Sequence, residues 1–394
     1  MSGDRVTPMS MPLTFELTDE QRALRDSIRE FAEAEIAPYA AEWDLNHTFP
    51  TETVRKLGEL GAMGVAFPEE YGGLGMGSLA QAIVVEELAR TDLSIAVTVG
   101  ADVSIAGEPL LKFGTEEQKQ RWLVPLARGE TLGAFASTEP DSGSDVRAAK
   151  TTARRENDCW VINGTKAFTT NAGNELSAFV IATARTEIDG EHKLSTFIIP
   201  SGTLGYVPKK PYHKMGWHAS DTRELVFSDC RVPDEAMLGL LGKGARVFLT
   251  VLDGGRVGIA AMSVGLAQGA LEQATTYAKE RTAFGAPIAR QQAIQFKLAE
   301  LKTQIEAARL LTYRAAAMKD AGKRYTEEAA QAKLFASEVA VRAAEENMQI
   351  HGGFGYIEES PVPRFYRDAK VLTIGEGTSE ILKLVIARQM GLDE

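Results

Sequence analysis

Apolar and polar positions alternate along this chain in three successive textures, helical, strand-like and helical again. The first opens on Thr18-Asp19-Glu20-Gln21, a capping box, followed by Leu24, Ile28 and Phe31 on one helical stripe that Pro38 closes. The same box recurs as Ser78-Leu79-Ala80-Gln81 before Ile83, Val84, Val85 and Leu88, and as Thr115-Glu116-Glu117-Gln118 before Trp122 and Leu123. Gly72-Gly73-Leu74-Gly75 reads as a loop between elements. Residues 94–111 are small and apolar, which predicts a buried helix or the lining of a narrow pocket, packing being the plainer reading.

Near Gly133 the period changes. Cys159-Trp160-Val161-Ile162, Ala178-Phe179-Val180-Ile181-Ala182-Thr183, Ser195-Thr196-Phe197-Ile198-Ile199 and Glu224-Leu225-Val226-Phe227 read as short strands between Asn, Gly, Asp and Pro turns. No long helical segment separates them, so antiparallel pairing in a small barrel or sandwich is expected. From about Val247 helices return: a small-residue run at 257–276, then 291–321, 326–350 and a last helix at 381–389, the pattern of a four-helix bundle. The predicted fold is mainly α with a middle β domain: an N-terminal helical domain (14–132), the β domain (133–240) and the C-terminal bundle (241–394).

Composition narrows the function classes. With 394 residues and 44% hydrophobic content the chain can build two or three cores. A net charge of -11 without a basic block argues against nucleic acid or an anionic membrane surface as the main partner. Apolar runs such as 240–252 are broken by glycine or charge, so no membrane insertion is expected, and polar residues 1–12 carry no signal-peptide core. Cys159 and Cys230 show neither CxxC nor metal spacing, which points to small core residues in a reducing, cytoplasmic setting.

Familiar catalytic motifs are missing. The glycines at 72, 73, 75 and 77, and at 352, 353 and 355, are out of phase for G-x-G-x-x-G, and no Walker A, HExxH or G-x-S-x-G occurs. His47, His192, His213, His218 and His351 are scattered, so no metal is expected. Ile374-Gly375-Glu376-Gly377-Thr378-Ser379-Glu380 stands apart: it sets one carboxylate on a tight turn at a helix start, between glycines that admit a large flat partner. The same letters also read as a polar turn and an N-cap. Thr138-Glu139-Pro140-Asp141-Ser142-Gly143-Ser144-Asp145 either offers donors at the mouth of the β domain or is a polar loop. Phe168-Thr169-Thr170-Asn171 either lies against a planar ring or ends a strand. Arg281-Thr282-Ala283-Phe284-Gly285 suits a pyrophosphate, and Gln349-Ile350-His351-Gly352-Gly353-Phe354-Gly355-Tyr356 ends a helix in glycines. Asp253 and Arg256 lie one turn apart, and singly each of these has a bland reading as a cap or a solvated pair.

Their order carries more weight. Together with Met215-Gly216-Trp217-His218-Ala219-Ser220-Asp221-Thr222-Arg223 and Leu252-Asp253-Gly254-Gly255-Arg256, these stretches resemble the acyl-CoA dehydrogenase family from about residue 17 to 388. The resemblance implies the same three-domain architecture, non-covalent FAD, a homotetramer, and reoxidation by an electron-transferring flavoprotein. By matching motif positions it implies Phe135, Ser137, Thr138, Phe168 and Thr170 on the flavin-ring side of the cofactor. Arg281, Phe284, Gln292, Gln349 and Gly353 match the diphosphate and adenosine end across a subunit contact, with Thr378 and Glu380 completing the site. Ser144, Asp253, Arg256 and Gly377 match the acyl-CoA substrate contacts, and Glu376 the catalytic base that takes the α-proton of the thioester on the way to the trans-2-enoyl-CoA. Such a base is expected to have a raised pKa in an apolar site.

Departures from the family pattern refine this. Relatives with the base on the long helix carry Glu before the arginine; Gly255 stands here, which reinforces Glu376. Gly375 replaces an aromatic found in many straight-chain enzymes, which leaves room for a branched or bulkier acyl group; the expected substrate is a short- to medium-chain or branched acyl-CoA. Residues 92–107 hold no Arg or Lys, against a terminal carboxylate. Ser137 and Ala283 replace an aliphatic and a more polar residue. A same-fold oxidase using oxygen and a non-catalytic flavin- or acyl-CoA-binding protein are the alternative readings.

Overall fold

A computed structural model describes residues 16–392 of the chain; the tail at 1–12 and the outermost residues of the first and last expected domains lie outside the described residues. The N-terminal helices are α1 (Asp19–Phe31), α2 (Ala40–Asn46), α3 (Thr51–Glu59), α4 (Gly77–Thr91), α5 (Leu93–Ala101), α6 (Glu108–Phe113) and the short α7 (Glu116–Gln118) and α8 (Val124–Ala127). Two of the three capping boxes form, at Thr18 and Thr115, with the reciprocal bonds in place. The third does not. At α4 the backbone N–H groups of Ser78 and Leu79 donate instead to Asp320 Oδ1 and Oδ2 at 2.6 and 3.0 Å. A carboxylate at a helix N-terminus is favoured by the dipole as well as by hydrogen bonding, so it takes the place of the local hydroxyl.

The β domain holds β1 (Leu132–Ala136), β2 (Thr152–Glu156), β3 (Cys159–Thr170), β4 (Ser177–Ile188), β5 (Glu191–Pro200), β6 (Tyr206–Pro211), β7 (Thr222–Pro233) and β8 (Met237–Leu238). They form one eight-stranded sheet in the order β6-β7-β3-β2-β4-β5-β8, with β1 joined to β4. Trp160, Ile162, Val180, Phe197, Leu225 and Phe227 fill the core of this domain. Pairing is antiparallel as expected except that β1 runs parallel to β4 and β2 touches β4 in parallel at Thr152 and Arg185. β1 enters from the helical domain rather than through a hairpin, which leaves its direction free.

After β8 come α9 (Gly244–Glu280), the small hairpin β9 (Thr282–Ala283) and β10 (Ala286–Pro287), α10 (Gln292–Asp320), α11 (Thr326–His351), α12 (Val362–Ala369) and α13 (Ser379–Gln389). α9, α10 and α11 pack on one another and α13 lies on α11, giving the bundle its four helices. α4 runs along α9 and α10, so the N-terminal domain and the bundle share one core. The close approach depends on Gly265, where a Cβ would lie 2.1 Å from the Glu86 carbonyl oxygen. Two stretches, Leu93–Phe113 and Gly244–Glu280, are after all long and apolar enough to cross a membrane by length and composition. The most apolar 18 residues of each are 94% and 72% buried inside the protein, as core helices are.

Candidate active site

The turn between α12 and α13 presents Glu376. Its φ is +52° and that of Gly377 +98°, two successive left-handed residues, a conformation a non-glycine residue holds only where the surroundings over-determine it. Thr378 then caps α13 by accepting from Ile381 N at 3.3 Å. The Glu376 side chain folds back onto α9: a Cβ added to Gly255 would lie 2.6 Å from its Oε2. That oxygen is shut off from solvent and has no hydrogen-bond partner among the described residues.

Two buried cations face this carboxylate. Arg256 is buried on α9 and pairs through Nη1 with Asp253 Oδ1 at 2.9 Å, while Asp253 Oδ2 accepts from Thr326 Oγ1 at 2.7 Å. In the helix pair at 253 and 256, Arg256 is thus buried, while Asp253 is partly exposed and tied to Thr326. Lys333, wholly buried on α11, donates from Nζ to the Gly377 carbonyl at 2.7 Å. Burial pushes the Glu376 carboxyl above the usual carboxylate range, and Arg256 and Lys333 pull it part of the way back. Burial likewise lowers the Lys333 ammonium to about 8, with Glu376 opposing that shift. Lys333 escaped the sequence reading because one lysine in an amphipathic helix ordinarily marks a solvated face.

The mouth of the β domain is built from the ends of β1 and β3. Lys166 Nζ donates to the Ser137 carbonyl at 3.2 Å and to Glu139 Oε1 at 2.8 Å, and Ala167 N donates to the Thr138 carbonyl at 2.9 Å. Ser137 and Thr138 are thereby held beside Phe168 and Thr170, with Phe135 on β1 behind them. Half of the 138–145 loop is structural. Glu139 is buried and accepts from the backbone of Lys150 and Thr151 at 2.6 and 3.0 Å, whereas Ser144 faces solvent. Phe168 has φ +56°, is 66% exposed and packs beside Tyr212 at 5.2 Å between ring centroids. Hydrogen bonds tie this mouth to helices of the N-terminal domain and of the bundle. Asn171 Nδ2 donates to the Thr98 carbonyl on α5 at 2.9 Å, and Trp217 N donates to Asp368 on α12 at 2.6 Å.

Arg281, Phe284, Gln292, Gln349 and Gly353 gather at one end of the bundle. Ile350 on α11 packs with Ala274 and Ala278 of α9 and with Ile288 and Ile294, which brings Gln349 and Gly353 to the same end as Arg281, Phe284 and Gln292. Phe284 tops the β9–β10 hairpin at φ +53° and is 98% exposed. Glu380 is exposed in the first turn of α13. A flavin dinucleotide fits these features. An exposed aromatic at a strained position lies at the β mouth, Thr169 Oγ1 and Trp217 Nε1 are buried there without partners, and a Cβ added to Gly352, Gly353 or Gly285 would meet open space.

Models of the N-terminal, middle and C-terminal domains of acyl-CoA dehydrogenase match residues 18–130, 134–230 and 242–391. The mouse mitochondrial short-chain specific acyl-CoA dehydrogenase is 47% identical over 94% of this chain and 90% of its own. Butyryl-CoA dehydrogenase from Megasphaera elsdenii superposes with a TM-score of 0.93 at 44% identity, covering 96% of this chain and all of that one. A chain solved in work on the electron-transferring flavoprotein of Acidaminococcus fermentans gives 0.93 at 43% identity, covering 97% of this chain and all of that one. This chain therefore belongs to the acyl-CoA dehydrogenase family of FAD-dependent oxidoreductases.

Proposed function

We propose that the protein oxidises a short- to medium-chain or branched acyl-CoA to the trans-2-enoyl-CoA, with Glu376 as the base. The observation that carries this is the Glu376 carboxylate itself, enclosed on Gly255 with Oε2 unpartnered, its pKa raised by burial and its position held by buried cations. A buried carboxylate of raised pKa is a competent acceptor for the weakly acidic α-proton. The α-C–H bond gives its proton to Glu376, the β-C–H bond gives up a hydride, and the C=C bond forms between them. FAD supplies the hydride acceptor when bound. Among the described residues the backbone N–H of Glu376 meets no acceptor, and it is free to donate to the thioester oxygen as negative charge develops there.

Phe135, Ser137, Thr138, Phe168 and Thr170 are assigned to the flavin ring, and Arg281, Phe284, Gln292, Gln349 and Gly353 to the dinucleotide end, with Thr378 and Glu380 completing the site from α13. Ser144, Asp253, Arg256 and Gly377 are assigned to the CoA thioester. Full exposure of Phe284 suits a contact completed by a second subunit of a homotetramer. Short-chain and butyryl names among the relatives support a small acyl group, and Gly375 leaves room for a branched one. An electron-transferring flavoprotein is the proposed acceptor, and two free cysteines suit a reducing cytoplasm. The test is anaerobic mixing with saturated acyl-CoAs, straight, branched and ω-carboxylated, read as loss of flavin absorbance. Bleaching by short or branched esters supports the reading; a flavin that no thioester bleaches refutes it.

A further inference from the structure

Three glycines stand within five residues inside α9, at 254, 255 and 258. Each weakens a helix interior by roughly 1 kcal/mol relative to alanine. At 255 the Glu376 carboxylate occupies the space a side chain would need. At 258 packing gives no such reason, because a Cβ would make only an ordinary 3.5 Å contact with Ser104 Oγ. Gly258, together with Gly254, where a Cβ would lie 2.5 Å from Glu108 Oε2, walls a cavity of about 120 Å³ shared with α4, α6 and the π-helical segment Asp102–Gly107. At ~30 Å³ per water this holds about four waters, or a chain end of similar size.

Most of the remaining lining is apolar, Ala66, Phe67, Ala82, Val103 and Leu111 among it, and a few polar groups are set into it. Gln81, buried on α4, lines the cavity with both its amide nitrogen and its amide oxygen unpartnered. Leaving such groups unmet costs on the order of 1–3 kcal/mol each. Glu108 is also buried: its Oε2 accepts from Lys319 Nζ at 2.6 Å, and its Oε1 forms an ion pair with Lys112 at 2.6 Å but accepts no hydrogen bond. A carboxylate arriving here would only accept: it would take the Gln81 amide hydrogens but leave the Gln81 carbonyl unmet, and the two lysines in the lining, Lys112 and Lys319, already pair with Glu108. A methyl would leave both Gln81 groups unmet, whereas a hydroxyl or a primary amide both donates and accepts. Helix neighbours three residues apart are separated by roughly 5–6 Å, so the wall at Gly258 begins about one chain segment beyond the surface on which Glu376 rests.

We propose that this cavity is the distal end of the acyl pocket and selects an acyl-CoA whose chain end carries an uncharged hydrogen-bonding group, a hydroxyl or primary amide, held by Gln81 and Ser104. The proposal rests on the reading of Glu376 as the base of a dehydrogenase. Its test is anaerobic reduction of the yellow holoenzyme by CoA esters of matched length ending in methyl, hydroxyl, amide or carboxylate. The hydroxyl or amide ester is expected to exceed the methyl ester in reduction rate over Kd by about tenfold or more, and Gln81→Leu to bring that ratio to about one. The wild-type ratio decides even if the variant fails to fold. A methyl ester that is equal or better leaves the cavity to water and overturns the proposal while the dehydrogenase reading stands. A preferred carboxylate ester, or a ratio that Gln81→Leu leaves intact, overturns it as well. If no ester bleaches the flavin, the dehydrogenase reading itself fails and takes the proposal with it.

Discussion

Lys333 Nζ donates a 2.7 Å hydrogen bond to the carbonyl of Gly377, the residue after the candidate base. One buried ammonium on α11 thus fixes a turn whose two residues both have left-handed backbones, and it also faces the base electrostatically. Lys333→Met removes the tether and the cation together. A neighbouring cation favours the carboxylate form, so its loss raises the Glu376 pKa further. The acid limb of the flavin-reduction rate is expected to move to higher pH, and the rate near neutrality to fall by about tenfold or more, since small misplacement of a base is expensive. Single-turnover reduction across the pH range checks this; a limb that stays in place would reduce Lys333 to a structural prop.

Glu376→Gln keeps the size of the side chain and removes its basicity. The variant is expected to purify yellow and bind acyl-CoA, yet reduce its flavin more slowly by about a hundredfold or more, the scale of a lost general base. Stopped-flow reduction by butyryl-CoA measures it, and near-normal reduction would remove Glu376 from the role.

What the sequence disclosed and what it hid divide along one physical line. The three textures were legible because burial on one face imposes a 3.6 or a 2.0 period locally. The Glu376 turn was legible because glycines on both sides mark a tight turn, and Gly377 does take the left-handed backbone, as does Glu376 itself. β2, whose residues are Thr152, Ala153, Arg154, Arg155 and Glu156, is largely exposed, β6 contains Pro208 and Pro211, and β8 is two residues long, so none carries a strand's apolar pattern. The roles of Lys333 and Asp320 depend on partners far along the chain, 44 and 242 residues away, and no local pattern encodes them. The unpartnered Gln81 was read only as part of a capping box, because its isolation is a property of the cavity and not of its neighbours in sequence.

Arg281→Ala tests the far end of the cofactor site. Arg281 is exposed and lies beside the fully exposed Phe284 hairpin, a surface with little to do in an isolated chain. The variant is expected to release FAD on gel filtration and to shift toward smaller species. A variant that stays fully yellow and unchanged in size would refute the cross-subunit assignment.

Asp320→Ala tests the displaced cap. Removing a carboxylate that accepts two backbone N–H groups at the start of α4 is expected to lower stability by about 1–2 kcal/mol. Ser78→Ala is expected to change little, because the Ser78 side chain does not cap the helix. Thermal unfolding of both variants separates the two; equal losses would restore the local box.

Asp368 gives a prediction in pH. It is buried on α12, accepts from Trp217 N, and is pushed up to about 7 by burial, with Asp92 and Asp44 adding to the shift and Arg364 opposing it. Its unfolded value is the ordinary 3.8, so between roughly pH 4 and 7 the folded state holds the extra proton. Stability must then fall as pH rises through that window and level off above it, because the unfolded state binds fewer protons. Asp368→Asn keeps an oxygen to accept from Trp217 and cannot ionise. Its Tm is expected to exceed that of the wild type above about pH 7, and the gap to close toward about pH 4. Thermal unfolding of the two holoenzymes across this range measures the gap. A gap that is constant with pH would show that Asp368 does not titrate there, and that the link from the β domain to α12 is insensitive to protons.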